Sequence, residues 1–185
     1  FDGMCEINKL FFLSSQQDHM YYKRRLSFDE FLNISNNVIK ISACIASPLW
    51  QFRKSILNEN NTQERQDKYI QLLNHYDYYE IQYHNFEEQI EYNQFLYRMS
   101  KSYNKPLIVG TDTHSLNKYK SECRTILQYG KTDGAWGDSE NECDLTYKTY
   151  DELVEMFKQQ NSLPMDIVLE AINNTNIMAD SIEEI

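Results

Sequence analysis

The sequence has little glycine, little proline and no long hydrophobic run. Five glycines and three prolines in 185 residues leave no linker rich in either residue, so we expect a single domain over residues 1–185. No stretch approaches the roughly 18 consecutive apolar residues of a membrane span, and the first residues lack the basic-then-apolar order of a secretion signal. We therefore expect a cytoplasmic protein that does not contact a membrane.

Basic side chains and paired cysteines are also scarce. Lys and Arg together number 18 against 28 Asp and Glu, which gives a net charge of −10, the wrong sign for a domain that holds nucleic acid on its own surface. The cysteines show no CxxC spacing, which argues against a disulfide framework or a structural zinc site. Because GxGxxG, GxxxxGK[ST], HExxH and GxSxG are absent, dinucleotide-binding, P-loop, zincin and serine-hydrolase functions have no support.

Three short runs rich in β-branched or aromatic residues predict strands at 38–43, 78–83 and 107–111. Strand–helix–strand connections of this length are right-handed crossovers in nearly every case, so we expect an α/β fold with parallel strands and outer helices. A closed (β/α) barrel has about eight strands and about 250 residues. The pattern therefore predicts part of a TIM-like barrel.

Helices are predicted where apolar residues recur every three or four positions, because this spacing places them on one helical face. Three stripes follow this rule: Tyr92, Phe95, Leu96, Met99 and Tyr103; Leu116, Tyr119, Cys123 and Ile126; and Tyr150, Leu153 and Phe157.

Asp112 and His114 directly follow the most hydrophobic predicted strand. Residues i and i+2 of an extended chain point to the same side, so the carboxylate and the imidazole would meet at the C-terminal edge of the sheet. Parallel α/β folds place their active sites there, and this pair of donors suits Zn, Mn or Fe. The alternative is a turn in which Asp112 caps a helix beginning near Ser115 and His114 is a half-exposed loop residue.

Polar side chains also end the other two predicted strands. Cys44 could ligate a metal ion as a thiolate, although a free cysteine is more often a core residue. Glu80, Gln82 and His84 alternate along the second strand and so share a face, which predicts either a rim around a metal or substrate or a polar face satisfied by hydrogen bonds. Cys143 offers no partner in the sequence.

The basic cluster is Lys23, Arg24 and Arg25, preceded by Tyr21 and Tyr22. Cations beside aromatic rings can contact a phosphate and stack on a base. In a chain of net charge −10 such a cluster is more typical of a solvated turn. The three cations are therefore candidate phosphate contacts only.

In this order, the motifs resemble the later part of the PHP (polymerase and histidinol phosphatase) domain of bacterial-type DNA polymerase III alpha subunits. The resemblance covers nearly the whole chain through 21–25, 38–44, 79–84 with Glu88, Gln89 and Asn93, 106–114, 147–148, 152–153 and 170–175. It implies a partial (β/α)7 TIM-like barrel of the PHP type, whose strand ends gather ligands for several metal ions. The family's opening His-x-His has no counterpart here, so the chain resembles the C-terminal portion of that domain without its N-terminal strands.

The resemblance implies metal ligation by Cys44, Asp112 and His114, with Glu80 and His84 lining the site. The implied function is that of a segment of a replicative polymerase alpha subunit, a nucleotidyltransferase whose PHP site hydrolyses phosphodiesters at a 3′ end with divalent Zn, Mn or Fe. Its partners would be the rest of the alpha subunit and, through it, DNA. The alternatives are a free-standing PHP phosphoesterase and a non-catalytic polymerase scaffold. Without the first strands, we expect weak metal binding and an exposed sheet edge unless a helix covers it.

Overall fold

The computed structural model describes residues 1–58, 61–131 and 143–183. Its helices and strands follow in this order: α1 (Asp2–Ser14), β1 (Met20–Tyr21), β2 (Lys23–Arg24), α2 (Phe28–Leu32), α3 (Pro48–Asn58), α4 (Gln63–His75), β3 (Tyr79–Ile81), α5 (Glu87–Tyr103), β4 (Leu107–Val109), α6 (Lys118–Lys131), α7 (Tyr150–Gln160) and α8 (Met165–Asp180). The fold is mostly helical. None of the helices in these ranges is long and apolar enough to cross a membrane.

A small parallel sheet lies at the centre of the fold. β3 pairs with β4, with Tyr79 opposite Leu107 and Ile81 opposite Val109, and α5 makes the crossover between them. Ile41 adds one parallel bridge to Tyr78. The predicted parallel direction of the second and third strands is confirmed, and the mostly helical fold with this small sheet is compatible with the predicted α/β class. The described ranges show a two-stranded parallel sheet and no barrel.

The predicted strand over 38–43 is wrong except for that single bridge. The backbone N–H of Lys40 donates to the Asp77 carboxylate at 2.8 Å instead of to a neighbouring strand. Ala43 has φ 54°, in the left-handed region that ends extended structure. The run therefore turns away from the sheet after Ser42.

The core forms where α5 packs on β3. Tyr92, Phe95 and Leu96 are buried, as their spacing predicts, and the ring centroids of Trp50 and Tyr92 lie 4.9 Å apart. Two glutamates in the first turn of α5 stabilise the start of this helix, because their negative charges interact favourably with the helix dipole. Asn104, in the left-handed conformation, ends the helix.

The other two predicted stripes fare differently. In α7, Leu153 and Phe157 are buried, whereas Tyr150, the first residue of the helix, is exposed. The stripe of Leu116, Tyr119, Cys123 and Ile126 is not a core face: Cys123 is half-buried and the other three residues are exposed. The half-buried residues of α6 are mostly polar instead: Ser121, Arg124, Thr125 and Gln128.

The free edge of β4 is covered by α8. Asn174 Nδ2 donates to the Leu107 carbonyl at 2.9 Å, and the Val109 N–H donates to Thr175 Oγ1 at 3.0 Å. These side chains stand where a neighbouring strand would donate and accept. This edge of the sheet is therefore not open to another chain.

A buried amide joins the end of β3 to α5 and α7. Asn93 is fully buried; its Oδ1 accepts from the Gln82 N–H at 3.2 Å and its Nδ2 donates to the Gln82 carbonyl at 2.7 Å. Gln160 continues the network, because its Nε2 donates to the His84 carbonyl at 2.7 Å and its Oε1 accepts from Asn93 at 3.0 Å. The backbone groups of residues 82 and 84, which lie beyond the sheet, are thus hydrogen-bonded by the side chains of Asn93 and Gln160.

Replacing Asn93 with alanine should lower the free energy of unfolding by about 3 kcal/mol, because it leaves the buried Gln82 N–H without its partner. Urea denaturation measures the loss. Gln94→Ala, at an exposed position of the same helix, is the matched control and should change stability by less than about 0.5 kcal/mol. Equal effects at the two positions would contradict the role of this amide.

The β1–β2 hairpin is tied to α2 through His19, which gives the fold a pH dependence. Its ring nitrogens lie 2.9 Å from Asp18 Oδ1 and 2.8 Å from Glu30 Oε1, and these bonds raise the pKa of His19. A raised folded pKa stabilises the protein at pH below the unfolded value of about 6.5, and this contribution is lost as the pH rises through the folded pKa.

His19→Gln should therefore lower the melting temperature more at pH 6 than at pH 8.5. His75→Gln should show the opposite trend, because burial lowers the pKa of His75 and its neutral form is the one that the fold favours. Melting curves at both pH values test the two variants. The same trend in both would show that His19 does not act through its charge.

Candidate functional site

A cavity of about 800 Å³ opens at the C-terminal edge of the parallel sheet. Five of the residues singled out from the sequence line it: Cys44, Gln82, His84, Asp112 and His114. They come from three separate stretches of the chain, each at or just after the end of a predicted strand. The structure thus brings these residues to one place, as the parallel strand direction requires.

Asp112 lies between two imidazoles. His114 Nε2 is 3.1 Å from its Oδ1, and His84 Nε2 is 3.4 Å from its Oδ2. The predicted convergence of Asp112 and His114 is thus present, but the extended backbone assumed for it is wrong, because Asp112 has φ 46°. Aspartate tolerates this left-handed conformation better than most residues do.

The alternative role of Asp112 as a helix cap is also wrong. α6 begins at Lys118, and Asn117 Oδ1 accepts from the Lys120 N–H at 3.0 Å. The side chain of His114 is 38% exposed, as the loop interpretation expected. The Asp112 carboxylate therefore lines the cavity, between the accessible imidazole of His114 and the buried imidazole of His84.

Burial sets the protonation of the deeper groups. The side chain of His84 is only 5% exposed, and burial lowers its pKa while the charge of Asp112 opposes this. Burial thus favours the neutral form of His84, and its Nε2 lies 3.4 Å from Asp112 Oδ2 without the alignment of a hydrogen bond. Burial also raises the pKa of Glu80, although Gln82 Nε2 donates to its Oε1 at 2.8 Å.

A segment that the sequence did not assign to the site forms another part of the wall. Cys143 and Asp144 line the cavity, and the neighbouring backbone is joined to the site where the His114 N–H donates to the Leu145 carbonyl at 2.9 Å. Tyr83 donates its hydroxyl to the Asp144 carbonyl at 2.7 Å. In the sequence, residues 147–148 drew notice only through the family resemblance, which did not assign this segment to the site.

The basic cluster lies elsewhere. Lys23 and Arg24 form β2, and Arg24 and Arg25 line a separate, mostly apolar cavity of about 600 Å³ beside α1 and α2. The guanidinium of Arg25 sits 4.9 Å from the centre of the Tyr21 ring. The structure therefore does not bring the three candidate phosphate contacts to the site cavity.

The donor types in the cavity suit a transition metal, since thiolate, imidazole and carboxylate all ligate Zn, Mn or Fe. Across 1–58, 61–131 and 143–183, however, no three His, Cys, Asp or Glu residues are arranged to hold a metal ion. Asp112 instead directs its two oxygens at two imidazoles. Any ion held here would need these side chains to move.

Comparison with known proteins does not identify a family. No protein-family model matches the chain, and no curated protein matches it.

Gly110 links the sheet to the site, and its substitution tests this packing. A Cβ built there would overlap the Glu80 side chain, so Gly110→Ala should displace Glu80 and cost about 1–3 kcal/mol in free energy of unfolding. Gly130, in α6 with open space around it, is the control: Gly130→Ala should stabilise by about 0.5–1 kcal/mol through helix propensity. Denaturant unfolding measures both. A neutral Gly110→Ala would mean that Glu80 is not packed as described.

Proposed function

We propose that the chain is the C-terminal portion of a PHP-type hydrolytic domain belonging to a replicative DNA polymerase alpha subunit. The observation that carries the proposal is that Cys44, Asp112 and His114, with His84 and Gln82, line one cavity at the C-terminal edge of a parallel sheet. Such an edge is where parallel α/β enzymes hold their reacting groups. Cleavage of a phosphate ester is the reaction that these side chains suit best.

Hydrolysis needs a group that takes a proton from water and a group that returns one to the leaving oxygen. His114 is accessible at the cavity, and Asp112 Oδ1, 3.1 Å from His114 Nε2, lies close enough to orient its imidazole. His84, buried and neutral, offers a second nitrogen on the other side of the same carboxylate. If a metal ion were bound, Cys44, Asp112 and His114 would serve as its ligands instead, and the ion would polarise the phosphate and acidify a bound water.

The chain has fewer candidate metal ligands than a complete PHP-type site would need. It contains four histidines and no His-x-His, whereas a centre with two or three metal ions needs more ligands than Cys44, Asp112 and His114 supply. We therefore expect weak metal binding and negligible hydrolysis by these 185 residues alone. Further strands, a barrel, DNA synthesis and contact with DNA would belong to the parent polymerase.

Calorimetric titration with Zn²⁺ or Mn²⁺ tests the ligand set. The chain should bind weakly, and Asp112→Asn should abolish binding because the amide removes the charge while keeping the shape. Its melting temperature should change little, since Asp112 caps no helix. Asp151→Asn, at an exposed position of α7, is the matched control and should leave metal affinity intact.

Unchanged affinity in Asp112→Asn would overturn the metal assignment. Robust metal-dependent cleavage of a phosphodiester by the chain alone would show that the ligand count is wrong. Efficient hydrolysis of a small phosphate monoester without any partner would favour a free-standing phosphoesterase over the polymerase segment.

A further inference from the structure

The wall of the site cavity contains a buried hydrogen-bond acceptor that has no donor among the described residues. Gln89 lines the cavity and is only 1% exposed, and its Oε1 has no hydrogen-bond partner. Buried polar atoms are nearly always paired in folded proteins, so an unpaired one needs a physical explanation.

Neighbouring hydrogen bonds determine which end of the Gln89 amide is left unpaired. The Asn93 amide is oriented by Gln82, because its Oδ1 accepts from the Gln82 N–H and its Nδ2 donates to the Gln82 carbonyl. Gln89 Nε2 donates to this same Asn93 Oδ1 at 2.9 Å. Turning the Gln89 amide over would set two oxygens against each other. Oε1 is thus the polar atom that Gln89 has left for a ligand.

An aromatic ring lines the same cavity three residues before Gln89. Phe86 directly precedes α5, and residues three apart at the start of a helix lie on the same side of it. The Phe86 ring is half-buried and nearly parallel to the ring of His84, with an interplanar angle of 20° and 6.2 Å between the ring centroids. A ring in a cavity wall can stack on the face of a flat aromatic ligand.

The rest of the cavity favours the uncharged part of such a ligand. Its volume of about 800 Å³ is typical of small-molecule sites, and Leu145 and Met156 contribute apolar surface. The described residues that line it include no lysine or arginine. Two lining acids, Glu88 and Asp144, are each paired with a lysine outside the lining. A phosphate would therefore find no lysine or arginine in this wall, whereas a flat ring bearing a hydrogen-bond donor would find both a stacking surface and an acceptor.

We propose that Gln89 Oε1 accepts a hydrogen bond from the exocyclic amino group of a nucleobase whose face lies against the Phe86 ring. Adenine, cytosine and guanine carry such an amino group, whereas thymine does not. A site that offers a buried acceptor to a ligand donor rejects the analogue without that donor, because the acceptor then stays unpaired. Gln89 is thus a specificity-determining residue. The choice of a nucleobase among flat amino-bearing ligands rests on the proposed function.

The experiment is an NMR titration of the whole chain, without metal, with nucleosides that differ only at the amino position. Deoxyadenosine is compared with purine deoxyriboside, in which a hydrogen atom replaces the amino group. Deoxyadenosine should bind at least about tenfold more tightly, because only its amino group can donate to Gln89 Oε1. Deoxycytidine should likewise bind more tightly than deoxyuridine, whose carbonyl would face the same oxygen.

Gln89→Met removes the acceptor and keeps an unbranched side chain of similar size. Its affinity for deoxyadenosine should fall to that for purine deoxyriboside, whose own affinity should not change. Phe86→Leu should weaken binding of both nucleosides, because the stacking surface serves any flat base. Gln94→Met, at an exposed position of α5 outside the cavity, is the matched control and should change neither affinity. Melting curves check that each variant is folded, and the comparison of nucleosides on the unchanged chain needs no variant.

Equal affinity for the two members of each pair would overturn the proposal, since a bound water that donates to Gln89 Oε1 would give this result. So would binding of none of the nucleosides, or an equal loss of affinity for both purine nucleosides in Gln89→Met, which indicates a purely structural side chain. These outcomes need neither a metal ion nor cleavage. Discrimination between the nucleosides together with unchanged metal affinity in Asp112→Asn would overturn the metal assignment and leave the role of Gln89 standing.

Discussion

The buried amide of Asn93 is the contact on which the arrangement of the site depends. β3 ends at Ile81, yet the chain continues through buried positions to His84, where no strand lies alongside to satisfy its backbone. The Asn93 side chain hydrogen-bonds both the N–H and the carbonyl of Gln82, and Gln160 Nε2 donates to the His84 carbonyl. Without partners, each of these buried groups would cost about 1–3 kcal/mol. Two amide side chains, on α5 and α7, therefore replace the backbone hydrogen bonds that a neighbouring strand would make beyond Ile81.

This hydrogen-bond network fixes the position of His84, and β4 positions Asp112, the carboxylate that faces it. Asp112 leaves β4 in a left-handed conformation, which turns its carboxylate between the imidazoles of His84 and His114. The missing side chain at Gly110 leaves room for Glu80 below. The site thus depends on local departures from regular strand geometry, as functional sites often do.

Hydrophobic periodicity predicted where helices form, and it did not predict which of their faces are buried or how buried polar side chains pair. The stripe of Tyr92, Phe95 and Leu96 predicted α5 because its spacing and its burial agree. The same reasoning found α6 but gave its buried side wrongly, since a pattern shows that a helix has an apolar face and not what covers it. Asn93 was noticed only through a resemblance, because an asparagine within an apolar stripe has no spacing signal that reveals its partners. The strand predicted over 38–43 is reduced to one bridge at Ile41, because the Lys40 N–H binds the Asp77 carboxylate and Ala43 turns left-handed. Neither residue type gives warning of this in the sequence.

The cover on β4 also constrains how the proposed barrel could be completed. A further strand beside β4 would need the Leu107 carbonyl and the Val109 N–H, which Asn174 and Thr175 of α8 already bind. Such a strand would have to displace α8, at the cost of the contacts that its buried residues Val168 and Ala171 make with the core. A strand added beyond Ile41, on the opposite side of β3, would meet no such competition from α8. Completion of the barrel next to β4 therefore requires α8 to move, whereas extension from the other edge leaves it in place.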